Sequence, residues 1–164
     1  MLRASKVLPA RTWDRGKAAD RIALTHDGRH RRRVAMKGAG GTDFLLDLAE
    51  ATILRDGDGL ALDDGRTIEV VAAAEPVVEI FGDPHLLSRV AWHIGNRHVP
   101  AQILQDRIRI GRDHVLEDML GKLGAKVVRT EAPFDPEPGA YSSEASAHDH
   151  SHDHSHGHGH RHGH

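Results

Sequence analysis

The sequence contains no cysteine, which excludes disulfide bonds, thiolate metal sites and a cysteine nucleophile. No stretch approaches the roughly 20 apolar residues that a membrane-spanning helix needs. The opening stretch "MLRASKVLPARTWDRGKAAD" lacks the apolar core and cleavage pattern of a signal peptide. These absences predict a cytoplasmic protein with no membrane partner.

Catalytic signatures are missing as well. We find no nucleophile elbow, phosphate-binding loop or H-E-x-x-H zinc motif, so the sequence predicts no enzymatic activity. Aromatic residues make up only 4% of the chain, and the formal net charge is -2 with histidine neutral. An RNA-binding module needs aromatic side chains for base stacking and a basic surface, so we expect no nucleic-acid partner.

The first segment, residues 1–74, has the pattern of strands joined by tight turns. "RIALTH" and "RHRRRVAMK" flank Asp27-Gly28, and "LALDDGRTIEVV" contains Asp64-Gly65. An Asp-Gly pair between extended runs predicts a β-hairpin, because both residues tolerate positive φ. "FLLDLAEATIL" lies between the two pairs and suits a strand bounded by glycine-rich turns. We predict a small all-β domain that contacts other proteins.

The second segment, residues 75–140, alternates strands and helices. A helix is predicted after Asp83, with an apolar stripe of Leu87, Val90, Ala91 and Ile94 and a stop at Gly95. A second helix is predicted after Asp113, with Leu116, Met119, Leu120 and Leu123 on one face and Gly124 at its end. The strands "PVVEIF", "VPAQILQ", "RIRIGR" and "AKVVRT" complete a β-α-β-β-α-β order. We therefore expect an α+β chain whose second domain is ferredoxin-like.

The third segment starts as an arm near Phe134 and continues into a His-rich tail, residues 141–164. Its proline, glycine and serine content predicts a linker with no fixed structure in the absence of a ligand. The tail places a histidine at every second position, which gives nine candidate metal ligands: His148, His150, His152, His154, His156, His158, His160, His162 and His164.

Metal binding is the chemistry that this tail indicates. Neutral imidazole offers a lone pair to Ni(II), Zn(II) and Cu(II). A purification tag is usually an uninterrupted block of histidines, whereas Asp, Ser, Gly and Arg separate the histidines here. A low-complexity tail without a role is the other alternative. The spacing imposes no single geometry, which suits storage and handover of ions, and it does not select one metal.

Two further histidines are candidate ligands. His98, in "GNRH", directly follows the first predicted helix, so we expect it to be exposed. One histidine is too few for a metal site, but a two-fold dimer would bring two together, and tail histidines would complete the coordination. His114, in the first turn of the second helix, is either an auxiliary ligand or simply exposed. His93 is predicted to be a core residue and His85 to face solvent.

Two charged stretches have less specific interpretations. "RHRRR", residues 29–33, lies on a predicted strand and is either a binding surface or a solvated sheet face balanced by nearby acids. "RDGDG", residues 55–59, resembles a calcium loop but lacks the later ligands of an EF-hand. We therefore interpret it as a turn.

Several of these stretches resemble one family. "HIGNRHVPAQIL", "DHVLEDMLGKLG" and "PFDPEPGAYSSE", followed by a histidine tail, are similar to the urease accessory protein UreE family of nickel metallochaperones. The resemblance extends upstream to "RHRRRVAM" and "ATILRDGDGLALDDGR". It implies a homodimer that carries Ni(II) to the apo-urease assembly with a urease GTPase accessory protein. The alternative is a general Ni/Zn storage or buffering protein.

The resemblance also implies which residues bind the metal. The histidine of the GNRH motif, here His98, is the family's key ligand at the dimer interface. Some members carry further histidines just before the second helix. This chain keeps one of them as His114, but it has Arg112 where those members have another histidine two residues earlier.

Overall fold

A computed structural model describes residues 1–139 of the chain. In this part, six strands form an N-terminal sheet with the order β2-β6-β5-β1-β4-β3. The strands are β1 (Leu2–Leu8), β2 (Asp20–Leu24), β3 (His30–Lys37), β4 (Asp43–Ile53), β5 (Gly59–Leu62) and β6 (Thr67–Ala72). One face of this sheet buries an apolar cluster that includes Phe44, Leu46, Leu60, Ile68 and Val70.

One of the two predicted hairpins is present. β5 and β6 pair antiparallel, and Gly65 in the connecting turn has φ +88, as the Asp64-Gly65 pair predicts. The prediction of a hairpin at Asp27-Gly28 is wrong, because β2 and β3 do not pair with each other. β2 pairs parallel with β6, and β3 pairs antiparallel with β4. The link Asp27–Arg29 is a 3-10 helix, which directs the fully buried Arg29 side chain inward instead of reversing the chain into a hairpin.

The second sheet confirms the ferredoxin-like prediction. Its strands have the order β10-β7-β9-β8, and the neighbours pair antiparallel. Two helices cross between the strands, which gives the β-α-β-β-α-β order. The elements are β7 (Ala74–Phe81), α1 (Pro84–Asn96), β8 (Ala101–Ile103), β9 (Ile108–Gly111), α2 (His114–Lys122) and β10 (Lys126–Pro133).

The predicted helix starts are confirmed. The side chain of Asp83 accepts a hydrogen bond from Leu86 N–H, and that of Asp113 accepts from Val115 and Leu116 N–H. The predicted stop at Gly124 is also present, with φ +99. The prediction that the first helix stops at Gly95 is wrong. α1 continues to Asn96, and the residue with a left-handed backbone conformation after it is His98.

The charged stretches of the N-terminal sheet have different roles. In "RHRRR", Arg29 is fully buried, whereas the next four residues are exposed on the outer strand β3. "RDGDG" is a turn, as predicted. The Asp58 carboxylate accepts hydrogen bonds from the N–H groups of Ala10 and Arg55, and Asp56 accepts from Ala72 N–H.

The arm after β10 packs on the rest of the protein as far as it is described. Phe134 is only 4% exposed, and Asp135 and Glu137 form hydrogen bonds with β8. The His-rich tail lies outside the described residues. Among residues 1–139, neither helix has the length and hydrophobicity that a membrane-spanning segment requires.

Candidate metal centre

His98 occupies the turn that ends α1. Its φ is +55, in the left-handed region that few residues other than glycine adopt. The N–H of His98 donates to the Gly95 carbonyl at 3.0 Å, and the N–H of Val99 donates to the Ile94 carbonyl at 3.4 Å. These bonds fix the backbone while the side chain remains exposed, as the sequence predicted.

The end of α1 also provides a favourable field for a cation. Aligned peptide dipoles give a helix C-terminus a partial negative charge, which stabilises a positive charge nearby. His98 follows the last helical residue, Asn96, by two positions. A cation bound at the His98 imidazole would therefore lie close to the negative end of α1.

A cleft of about 650 Å³ opens beside His98. Both domains contribute to its walls, which combine apolar side chains with several carboxylates. The lining residues are Val7, Pro9, His26, Glu50, Ala51, Thr52, Ile53, Arg55, Asp58, His98, Val99, Pro100, Pro136, Glu137, Pro138 and Gly139. His98 is thus accessible from a space that the N-terminal domain shares.

His26 is a second imidazole in this cleft, and no sequence pattern selected it. Its ring packs edge-on against Phe134, with a centroid distance of 5.3 Å, and its side chain is 24% exposed. Nδ1 lies 3.9 Å from a carboxylate oxygen of Asp27. The contact of His26 with the arm at Phe134 joins residues far apart in the chain, and no local pattern encodes it.

The other histidines lie elsewhere. His114 is exposed, which was one of the two alternatives predicted for it. It is the first residue of α2 and does not line the cleft. The positive end of the helix dipole disfavours a bound cation there. His85 is exposed, as predicted. His93 is not a core residue: it is half-buried, with its ring 5.0 Å from that of the exposed Trp92.

The described residues do not assemble a complete metal site by themselves. Within residues 1–139, no group of three or more His, Asp or Glu residues is arranged to hold an ion. The nine tail histidines, His148 to His164, lie outside the described residues.

Comparison with known families covers both domains. The description "UreE urease accessory protein, N-terminal domain" matches residues 4–73, and the corresponding C-terminal domain matches residues 75–164. The chain belongs to the UreE urease accessory protein family. The resemblance that the GNRH motif and the stretches around it indicated is thereby confirmed.

Individual UreE proteins are similar along most of the chain. The urease accessory protein UreE of Bradyrhizobium sp. (strain ORS 278) is 60% identical over 149 residues, which is 90% of this chain and 70% of that protein. The UreE of Rhodopseudomonas palustris (strain BisB18) is 57% identical over 152 residues, 92% and 72% of the two chains. The UreE of Rhodobacter capsulatus is 53% identical over 151 residues, which is 92% of this chain and 94% of that protein. UreE is an accessory protein and not an enzyme, in agreement with the sequence prediction.

Proposed function

We propose that this chain is a nickel metallochaperone that carries Ni(II) as cargo and delivers it in the cytoplasm for assembly of the urease active site. Its partners are a second copy of the chain, a urease GTPase accessory protein and the apo-urease assembly complex. His98 from each of two protomers forms the primary ion site. Tail histidines, His148 to His164, complete the coordination and add capacity, and His114 is at most an auxiliary ligand.

The observation that carries this proposal is the geometry of His98. An exposed imidazole stands on a backbone fixed by hydrogen bonds, at the negative end of α1 and at the edge of an open cleft. Membership of the UreE family supports urease as the destination. Imidazole also binds Zn(II) and Cu(II). Selectivity for nickel therefore depends on which metal ions are available to the protein and on the protein that receives the ion.

Exposed apolar residues of the C-terminal domain support the homodimer. Ile103 on β8 is 56% exposed, and Trp92 on α1 is 64% exposed. A small groove of about 200 Å³ beside α1 is lined by Ile103, Gly95 and Val99, among others. A second copy packed on this region would cover apolar surface and place two His98 side chains together, because a two-fold interface uses the same patch twice.

Removal of the tail separates the two kinds of nickel site. A chain that ends at Ser146 is expected to lose most of its bound nickel but to retain about one ion per dimer, because the paired His98 site remains. His98→Ala in this shortened chain is expected to abolish that ion. Isothermal titration with Ni(II) measures both stoichiometries.

A second variant distinguishes loss of the ligand from loss of the fold. Glycine tolerates the left-handed conformation at position 98, so His98→Gly keeps the turn and removes the imidazole. It is expected to bind no ion in the shortened chain while its thermal unfolding is unchanged or slightly shifted upward. A shortened wild-type chain that binds no nickel would refute the shared His98 site.

Delivery, as opposed to buffering, is tested in cells. A general Ni/Zn buffer is the alternative function, because His-rich tails store either metal. In cells that express urease at limiting nickel, deletion of this protein is expected to lower urease activity, and the full-length chain should restore it. The His98→Ala chain, which keeps every tail histidine, should restore less. Equal rescue by both would favour the buffer.

A further inference from the structure

The four residues Phe134 to Glu137, here called the strap, link the N-terminal domain to β8. On the N-terminal side, the guanidinium of Arg29 donates a hydrogen bond to the Phe134 carbonyl. Arg55 Nη1 donates to the Pro136 carbonyl at 2.7 Å. The Asp135 carboxylate lies between these arginines, 3.2 Å from Arg55 Nε and 3.6 Å from Arg29 Nη2. The strap is therefore held by two cations of the first domain.

The opposite side of the strap is bonded to all three residues of β8. The N–H of Glu137 donates to the Ala101 carbonyl at 2.8 Å, and its carboxylate accepts from Ile103 N–H at 3.0 Å. The N–H of Asp135 donates to Gln102 Oε1 at 3.0 Å. β8 is an outer strand whose one strand partner among the described residues is β9, so the strap provides its second lateral support.

β8 in turn fixes one end of the turn that carries His98. Only Val99 and Pro100 separate His98 from Ala101, the first residue of β8. The proline ring restricts both its own φ and the conformation of Val99. The other end of the turn is fixed by the hydrogen bond from His98 N–H to the Gly95 carbonyl. A displacement of β8 is therefore transmitted toward His98 over only two intervening residues, whose backbones are restricted.

We infer that Arg29 and Arg55 are positioning residues for the nickel ligand: through the strap and β8, the N-terminal domain sets the orientation of His98. Neither arginine touches the ion. Their contribution reaches His98 through hydrogen bonds to the strap, hydrogen bonds from the strap to β8, and the two residues that join β8 to His98; the path begins at Arg55 and at the fully buried Arg29. This inference rests on the proposed role of His98 in holding nickel, and it assigns to the first domain a part in metal affinity.

The test uses Arg55, because its side chain is 20% exposed and its loss is milder than that of a fully buried arginine. In the full-length chain, Arg55→Met is expected to weaken the His98-dependent nickel binding about tenfold, the lower end for groups that orient a metal ligand from outside. In the His98→Ala chain the same change should have no further effect on nickel binding. This double-mutant cycle subtracts the ions held by the tail.

Two control comparisons accompany the cycle. Arg66→Met removes an exposed ion pair with Asp64, 2.8 Å long, in the same domain but with a partner outside the strap, and should leave nickel affinity unchanged. On the β8 side, Glu137→Ala should reproduce the effect of Arg55→Met. Glu137→Gln should restore most of the affinity, because the glutamine side-chain oxygen can still accept from Ile103 N–H.

A metal-free measurement separates this inference from the proposed function. In nuclear magnetic resonance spectra of the full-length protein without nickel, Arg55→Met and Glu137→Ala should shift the amide signals of His98 and Val99, and Arg66→Met should not. Lower melting temperatures with unchanged His98 amide signals would overturn the positioning role. If the wild-type chain shows no His98-dependent nickel binding, the proposed function fails, and the amide shifts alone decide whether the strap orients His98.

Discussion

Replacement of Arg29 by methionine is expected to lower the free energy of unfolding by about 3–5 kcal/mol, because it leaves three carbonyl acceptors without their donor, at roughly 1–3 kcal/mol for each buried one. Arg29 Nε donates to the Leu54 carbonyl and Nη1 to the Leu24 carbonyl, both at 3.0 Å, and Nη2 donates to the Phe134 carbonyl. Methionine fills much of the space but donates to none of these groups. Burial already raises the pKa of the Asp135 carboxyl, and the loss of Arg29 removes one of the two cations that oppose this rise.

Urea-induced unfolding of the full-length protein at neutral pH measures this effect. Arg32→Met is the matched control, since Arg32 is an exposed arginine three positions later. Surface changes of that kind usually alter stability by less than about 0.5 kcal/mol. Similar losses for both variants would show that the buried guanidinium does not contribute as its contacts indicate.

Asp20→Asn is expected to lower the free energy of unfolding by about 2 kcal/mol at neutral pH. The Asp20 carboxylate accepts hydrogen bonds from the N–H groups of Gly40 at 2.7 Å, Arg21 at 2.7 Å and Thr42 at 3.1 Å. These donors, led by Gly40, lower its pKa to about 2. Each pKa unit corresponds to about 1.4 kcal/mol of preference for the ionised form in the folded protein.

The pH dependence of this variant has a defined sign. Because the folded pKa of Asp20 lies below the unfolded value, the carboxylate stabilises the fold above about pH 4, and this stability is lost as the pH falls toward 2. The difference between wild type and Asp20→Asn should therefore be full at pH 7 and shrink steadily below pH 4. Asp43→Asn, at a carboxylate that is 67% exposed, is the control. A difference that stays constant down to pH 2 would contradict the assignment.

The second domain could be predicted from sequence because its signals are local. Asp83 and Asp113 are N-caps, and Gly124 has the positive φ that ends a helix. The apolar stripes of both helices also face the core, as their spacing requires: Val90, Ile94, Leu116 and Leu120 are buried.

The first domain could be predicted as a set of strands with one correct hairpin, the pair β5 and β6 at Asp64-Gly65, but not in its overall strand order. Strand pairing there joins distant residues: β1 runs parallel to β4, and β2 runs parallel to β6. Nothing in the alternation of apolar residues distinguishes a parallel neighbour from a hairpin partner, so the Asp27-Gly28 pair was misleading. The missing information was the burial of Arg29, which a basic run gives no reason to expect.

The candidate site was predictable in part. The GNRH motif selected His98, and its exposure after the helix followed from its position. Its left-handed backbone did not, because Gly95 was the more obvious residue for that conformation. The cleft that joins His98 to His26 depends on how the arm packs between the domains, which is a tertiary property without a local signature.

The central place of β1 has a consequence for biosynthesis. Leu2 pairs with Phe44 in β4, and Lys6 pairs with Ala61 in β5. Neither edge of β1 can therefore form its hydrogen bonds until these later strands have been synthesised. Until then its unpaired amides and carbonyls are open to strands of other nascent molecules. Long-range pairing of this kind slows folding. The yield of soluble protein should therefore depend on the rate of translation and on the local concentration of nascent chains.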